Sequence, residues 1–146
     1  MEISPRLTVT TLGVRDMARA IAFYDRLGLK RRMKATGERV AFFQAGAVII
    51  ALYSAEALAE EAGLDPEPAA AGFRGVTLAW NCNSPEEVEV SLTHAVRAGG
   101  RLIKAAHRTG YGGHAGYFAD PDGHVWEIVV APGIEVAPDG RVRLPE

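Results

Sequence analysis

The sequence predicts an α+β protein made of two tandem βαβββ modules, whose curved mixed sheets pair around a central cup. Three observations predict it. The order strand, helix, strand, strand, strand can be read twice along the chain, with matching punctuation: Asp16 and Asn83 or Ser84 before the helices, Gly28 and Gly99 or Gly100 after them. Both helical stretches carry an apolar stripe at helical spacing between a cap signal and a glycine. Finally, residues 110–130, GYGGHAGYFADPDGHVWEIVV, hold Asp120-Pro121-Asp122-Gly123 between aromatic and β-branched arms, the chemistry of a tight hairpin. The modules are read as residues 6–53 and 74–131, joined by a linker with a short helix over 54–73 and followed by a tail over 132–146, all in a single domain of residues 1–146.

Taken in order, residues 6–14 mix Leu7, Val9, Leu12 and Val14 with three threonines, a composition suited to a strand. Asp16 then caps a helix over 17–27 in which Met17, Ala20, Ile21, Tyr24 and Leu27 share one face, and Gly28 ends it. Residues 29–35 alternate Lys30, Arg32 and Lys34 against Leu29, Arg31 and Met33, which predicts a strand with one wet face. Residues 39–44 and 47–53 form a hairpin across Ala45-Gly46. Ser54 caps a short helix, AEALAEEA, and Gly63, Pro66, Pro68 and Gly72 punctuate the linker. A strand over 74–81 leads to the second helix, where Ser84 is N-cap, Pro85 lies in the first turn and Glu87 closes a capping box. Val88, Leu92, Ala95 and Val96 are its predicted buried stripe, and residues 101–106 the next strand. The tail repeats a Pro-Asp-Gly turn at 138–140 and is read as an arm folded over its own cleft or a partner.

Composition narrows the function. Sixteen basic and eighteen acidic side chains leave a net charge of −2, so no strong field points to nucleic acid or an anionic membrane. The N-terminus lacks the pattern of a signal peptide, and the most apolar run, residues 47–53, is too short to span a bilayer. Cys82 is the single cysteine, which excludes an internal disulfide and fits a reducing, cytoplasmic setting.

Glu127 is the residue that most needs explaining, a lone carboxylate among apolar strand residues that must find a donor, a cation or water. It is a candidate general base or ligand anchor, or else a paired structural carboxylate. His114 is a second candidate base or off-pattern ligand, or a histidine bonded at a strand end. Strand alternation puts His114 and Tyr117 on opposite faces unless a bulge intervenes. Tyr111 in the glycine-rich loop, Tyr117, Trp80 and Phe42 are candidates to line a ligand site, the last two also fitting a plain core. His124 is read as capping the hairpin, His107 as sitting at a strand end and His94 as a wet helix residue. No HxxxH, HxH, phosphate-loop or nucleophile-elbow pattern is present. Lys30, Arg31, Arg32 and Lys34 read as a solvated edge, and Cys82 as a small buried residue.

With these elements in place, TLGVRDMARAIAFYDRLGLK and GYFADPDGHVWEIV resemble the vicinal oxygen chelate superfamily, which includes glyoxalase I, extradiol dioxygenases, and fosfomycin-resistance and bleomycin-binding proteins. The resemblance spans residues 6–131 and implies a cup between modules, often with a divalent ion held from the first and last strand of each. Those ligand positions fall here on Val9, Val76, Ile50 or Ala51, and Glu127. Only the last can bind a cation, and one carboxylate does not make a tetrahedral or octahedral set. The expectation is therefore a small-molecule-binding protein with no cofactor and no standard metal site, assembled as a homodimer. The alternative is an enzyme, either a glyoxalase-like lyase or isomerase with Glu127 as base, or a dioxygenase-type oxidoreductase holding Zn, Ni, Mn or Fe through Glu127 and His114.

Overall fold

The computed structural model describes residues 1–65 and 72–146, and the predicted breaks at Pro66 and Pro68 lie outside them. The first module runs β1 (Val9–Val14), α1 (Met17–Leu27), β2 (Lys30–Arg32), β3 (Val40–Ala45) and β4 (Val48–Ser54). After α2 (Ala55–Ala62), the second runs β5 (Thr77–Asn81), α3 (Pro85–Arg97), β6 (Arg101–Arg108), β7 (His114–Ala119) and β8 (Val125–Val130). Each module forms a four-stranded mixed sheet of the same topology, β1-β4-β3-β2 and β5-β8-β7-β6, in which the first and last strands are parallel neighbours.

The cap chemistry explains why the helices start where they do. Asp16 accepts from the Arg19 amide at 3.0 Å, and Gly28 ends α1 in the left-handed conformation. Ser84 accepts from the Glu87 amide at 3.1 Å while the Glu87 carboxylate reaches back to the Asn83 amide at 2.8 Å, so the capping box closes one residue further out than its usual form. In α3 the buried stripe is Val88, Ser91, Leu92 and Ala95; Val96, predicted to be part of it, is 38% exposed. The strand predicted over 29–35 stops at Arg32, because Met33 takes φ 51° and the chain turns through a 3-10 segment, Lys34–Thr36. Arg31 registers with Phe43, so it belongs to the core side of the sheet and donates to the Gly37 carbonyl rather than joining a wet row.

One apolar core holds both modules. Leu12, Val14, Phe43, Ile50 and Leu52 from the first sheet meet Phe118, Trp126 and Ile128 from the second, with α1 and α3 between them. Tyr24 of α1 packs edge-on to Phe23 and against both Phe43 and Trp126. The C-terminal ends of the helices are tied together: Arg26 donates to the Ala98 carbonyl at 2.8 Å, and His94 Nε2 to the Leu27 carbonyl at 2.8 Å. His94 is therefore an inter-helix link while staying exposed, as the sequence predicted. Because both sheets turn their helix-covered faces towards this shared core, their other faces point outward. The two mixed sheets are those the sequence predicts, and a cup would be built on these outward faces.

Two latches fasten the modules. In the β7–β8 turn, Asp120 Oδ2 accepts from the buried Tyr24 hydroxyl at 2.7 Å, and Trp126 Nε1 donates to that same hydroxyl at 3.1 Å. Asp122 Oδ1 accepts from the Arg15 amide at 2.9 Å and from the Arg19 guanidinium at 3.2 Å, at the start of α1. At the start of α3 the tail does this work. Its hairpin, β9 (Glu135–Val136) and β10 (Val142–Arg143), is hooked by Asn83, which both accepts from and donates to the Val136 backbone. The hairpin's Gly140 lies so close to the β3–β4 turn that a Cβ there would stand 2.6 Å from Gly46 Cα. The arm thus folds over its own chain.

Candidate functional site

The outward face of the second sheet carries a polar row. Register sets Ala79 beside Glu127, Glu127 beside Tyr117, and Tyr117 beside Lys104 on neighbouring strands, all on the face away from the helices. Tyr117 donates its hydroxyl to Glu127 Oε2, and both side chains are half-buried. That bond, followed by burial and the nearby Glu127 and Tyr111 charges, pushes the Tyr117 phenol up to about 12, so it stays protonated. Tyr111 stands in the loop above, 59% exposed. Gly113 lets it lie there: a Cβ at 113 would be 2.4 Å from the Val130 carbonyl and 2.8 Å from the Tyr111 ring.

The matching row of the first sheet is Thr11, Ala51, Phe42 and Arg32. Ala51 therefore occupies the place of Glu127, which resolves the choice left open between Ile50 and Ala51; Ile50 faces the core. Because the second N-cap is Ser84, counting back seven residues gives Thr77 in place of Val76. The four positions that the resemblance assigns to ligands then hold Val9, Ala51, Thr77 and Glu127. This donor set does not fit a divalent ion: one carboxylate, with one oxygen already engaged by Tyr117, and one neutral hydroxyl. Among the described residues, no three of His, Cys, Asp and Glu gather elsewhere to hold one.

The remaining candidates are dispersed. His114 lies on the helix side of the sheet, where its Nε2 meets Glu89 Oε1 of α3 at 2.9 Å, so it cannot share a ligand or metal with Glu127. Trp80 registers with Ile128 and packs against the core. Phe42 faces outward, but on the other sheet. His124 bridges the modules: its Nε2 donates to the Gly13 carbonyl at 2.8 Å and its Nδ1 faces the Arg74 guanidinium at 3.0 Å, which requires the neutral ring with the proton on Nε2. His107 bonds the Ala105 carbonyl two residues away. Burial pushes the Cys82 thiol up to about 11, which removes it as a nucleophile. A cleft of about 240 Å³ opens between the edges of β1 and β5, beside Thr10, Leu12, Arg74, Val76, Leu78 and His124, and it touches neither Glu127 nor Tyr117. Among the described residues, no helix is long and apolar enough to cross a membrane.

Comparison with known proteins agrees with this architecture. The chain aligns over 97% of its length, and 99% of the other, with a glyoxalase-related enzyme from Fulvimarina pelagi, at 30% identity and a TM-score of 0.85. A glyoxalase/bleomycin resistance protein/dioxygenase from Nocardioides shares the fold at 24% identity and a TM-score of 0.73, with 91% of this chain and 88% of that one covered. A lactoylglutathione lyase from Agrobacterium tumefaciens shares it at 22% identity and a TM-score of 0.65, with 88% and 96% covered. A search of curated proteins by sequence found no match. The family profile covers residues 6–128, nearly the whole of both modules, and with the paired βαβββ topology it shows that the chain belongs to the Glyoxalase/Bleomycin resistance protein/Dioxygenase superfamily.

Proposed function

We propose that this protein binds a small organic molecule on the outward face of its second sheet, beside Glu127 and Tyr117, and that a second copy of the chain covers the site. The observation that carries the reading is the hydrogen-bonded Tyr117–Glu127 pair, half-buried on a sheet face that its own module pairing leaves uncovered. A carboxylate held in place by a neighbour and flanked by aromatic and small side chains is a pre-organised anchor for one polar group of a ligand. The outward face of the first sheet, with Thr11, Phe42 and Gln44, is the complementary wall that a symmetric partner would supply. In this reading no divalent ion is firmly held, since the donor set around Glu127 is too poor.

The 30% identity to a glyoxalase-related enzyme favours a second reading, in which the bound molecule is a substrate and Glu127 Oε1 takes a proton from it. Melting curves of the wild type and of Glu127→Gln, recorded with a panel of small organic molecules and with zinc, nickel, manganese and ferrous ions, test the site, and loss of a bound molecule to product with the wild type but not with Glu127→Gln marks it as a substrate. An organic ligand whose polar group Glu127 anchors should raise the melting temperature of the wild type by mass action, and Glu127→Gln should reduce that rise. A rise with metal alone that disappears in Glu127→Gln would overturn the metal-free part. Equal ligand-induced rises in both proteins would move the site elsewhere.

A further inference from the structure

The chemistry of this face narrows what it selects, an inference that rests on reading it as the ligand site. Tyr117 spends its only proton on Glu127, so its oxygen turns lone pairs towards a ligand and offers no donor. Glu127 keeps Oε1 unengaged by Tyr117. Gly113 continues the outward alternation of Ala115 and Tyr117, and a Cβ there would stand 2.8 Å from the Tyr111 ring, so Tyr111 leans over the same face and is exposed. Two aromatic rings and a carboxylate form an acceptor surface with negative π faces, which attracts an organic cation and repels a carboxylate.

We propose that the Tyr111, Tyr117 and Glu127 face binds protonated organic amines with an apolar body. The ammonium donates to Glu127 Oε1, and its adjoining carbons rest on the two tyrosine rings. Lys104 stands in the same row, beside Tyr117, and is exposed. As a cation it opposes a cationic ligand, so removing its charge strengthens binding.

Titration calorimetry of the full chain with benzylamine, benzyl alcohol and benzoate at neutral pH tests this, since the three share a ring and differ in charge. Benzylamine should bind about tenfold or more tightly than benzyl alcohol, and benzoate more weakly than either. Glu127→Gln, which retains an acceptor for Tyr117, should reduce benzylamine affinity about tenfold and leave benzyl alcohol nearly unchanged, while Lys104→Gln should increase benzylamine affinity. Circular dichroism of each variant confirms that it is folded. Benzyl alcohol or benzoate binding as tightly as benzylamine, in a manner lost in Tyr117→Ala, would overturn the cation preference and leave the face as a ligand site. Benzylamine affinity unchanged in Glu127→Gln would overturn the anchor. No binding of any of the three would remove both proposals.

Discussion

Tyr117 no longer titrates like a free phenol once its proton is given to Glu127. Its value in the folded chain, about 12, exceeds the ordinary value of 10, so the bond contributes stability that is fully present below about pH 10 and is lost as pH rises through about 12. The phenolate absorbance of Tyr117, isolated as the difference between wild type and Tyr117→Phe, should appear only in that upper range, and Glu127→Gln should bring it down towards 10. An unchanged curve in Glu127→Gln would show that the carboxylate does not hold the phenol. At this scale the sequence was legible where a residue is anomalous by itself. Glu127 stands out as a charge in an apolar strand, and strand alternation sets His114 and Tyr117 on opposite faces, as found; which of those faces the helices cover is decided by α3, where Glu89 meets His114, and by the core that takes Trp80.

Between elements, the Asp-Pro-Asp-Gly turn does more than reverse the chain. Its glycine closes the hairpin, and its two aspartates hold α1 of the other module. Tyr24→Phe would leave Asp120 Oδ2 without a donor and Trp126 Nε1 without an acceptor, both buried. The variant should lose about 2–4 kcal/mol in urea unfolding, the sum of two orphaned groups. A loss under about 0.5 kcal/mol, the size of a neutral surface change, would mean that the latch carries no energy. Helices and hairpins could be read from the sequence because caps and turn residues act locally, as Asp16, Ser84 and Gly123 show. The end of β2 could not, since it depends on a left-handed Met33, a conformation that no residue type there announces. The aspartates' partners were hidden because they lie about a hundred residues away in sequence.

The whole molecule exposes 9550 Å², against about 7,200 Å² for a compact monomer of its mass. Residues 1–8 are exposed throughout, and β1 and β5 each lie at a sheet edge. A stable symmetric dimer covers surface of this order. Sedimentation equilibrium should therefore give twice the 15.6 kDa chain mass at micromolar concentration, whereas a monomer throughout would leave the candidate site open on one side and remove the shared-wall reading. The fold was legible from the repeat of five elements. The direction in which the faces point was not, because a repeat specifies two sheets and leaves their mutual placement to the core.

The tail hairpin makes the two helix starts unlike. At α1 the anchor is borrowed from the other module, where Asp122 of the β7–β8 turn accepts from Arg15 and Arg19. At α3 it comes from the tail, with Asn83 on Val136 and Gly140 settled against Gly46. The two halves, alike in topology, therefore do not close alike, and removing residues 132–146 would loosen one helix start and leave the other held.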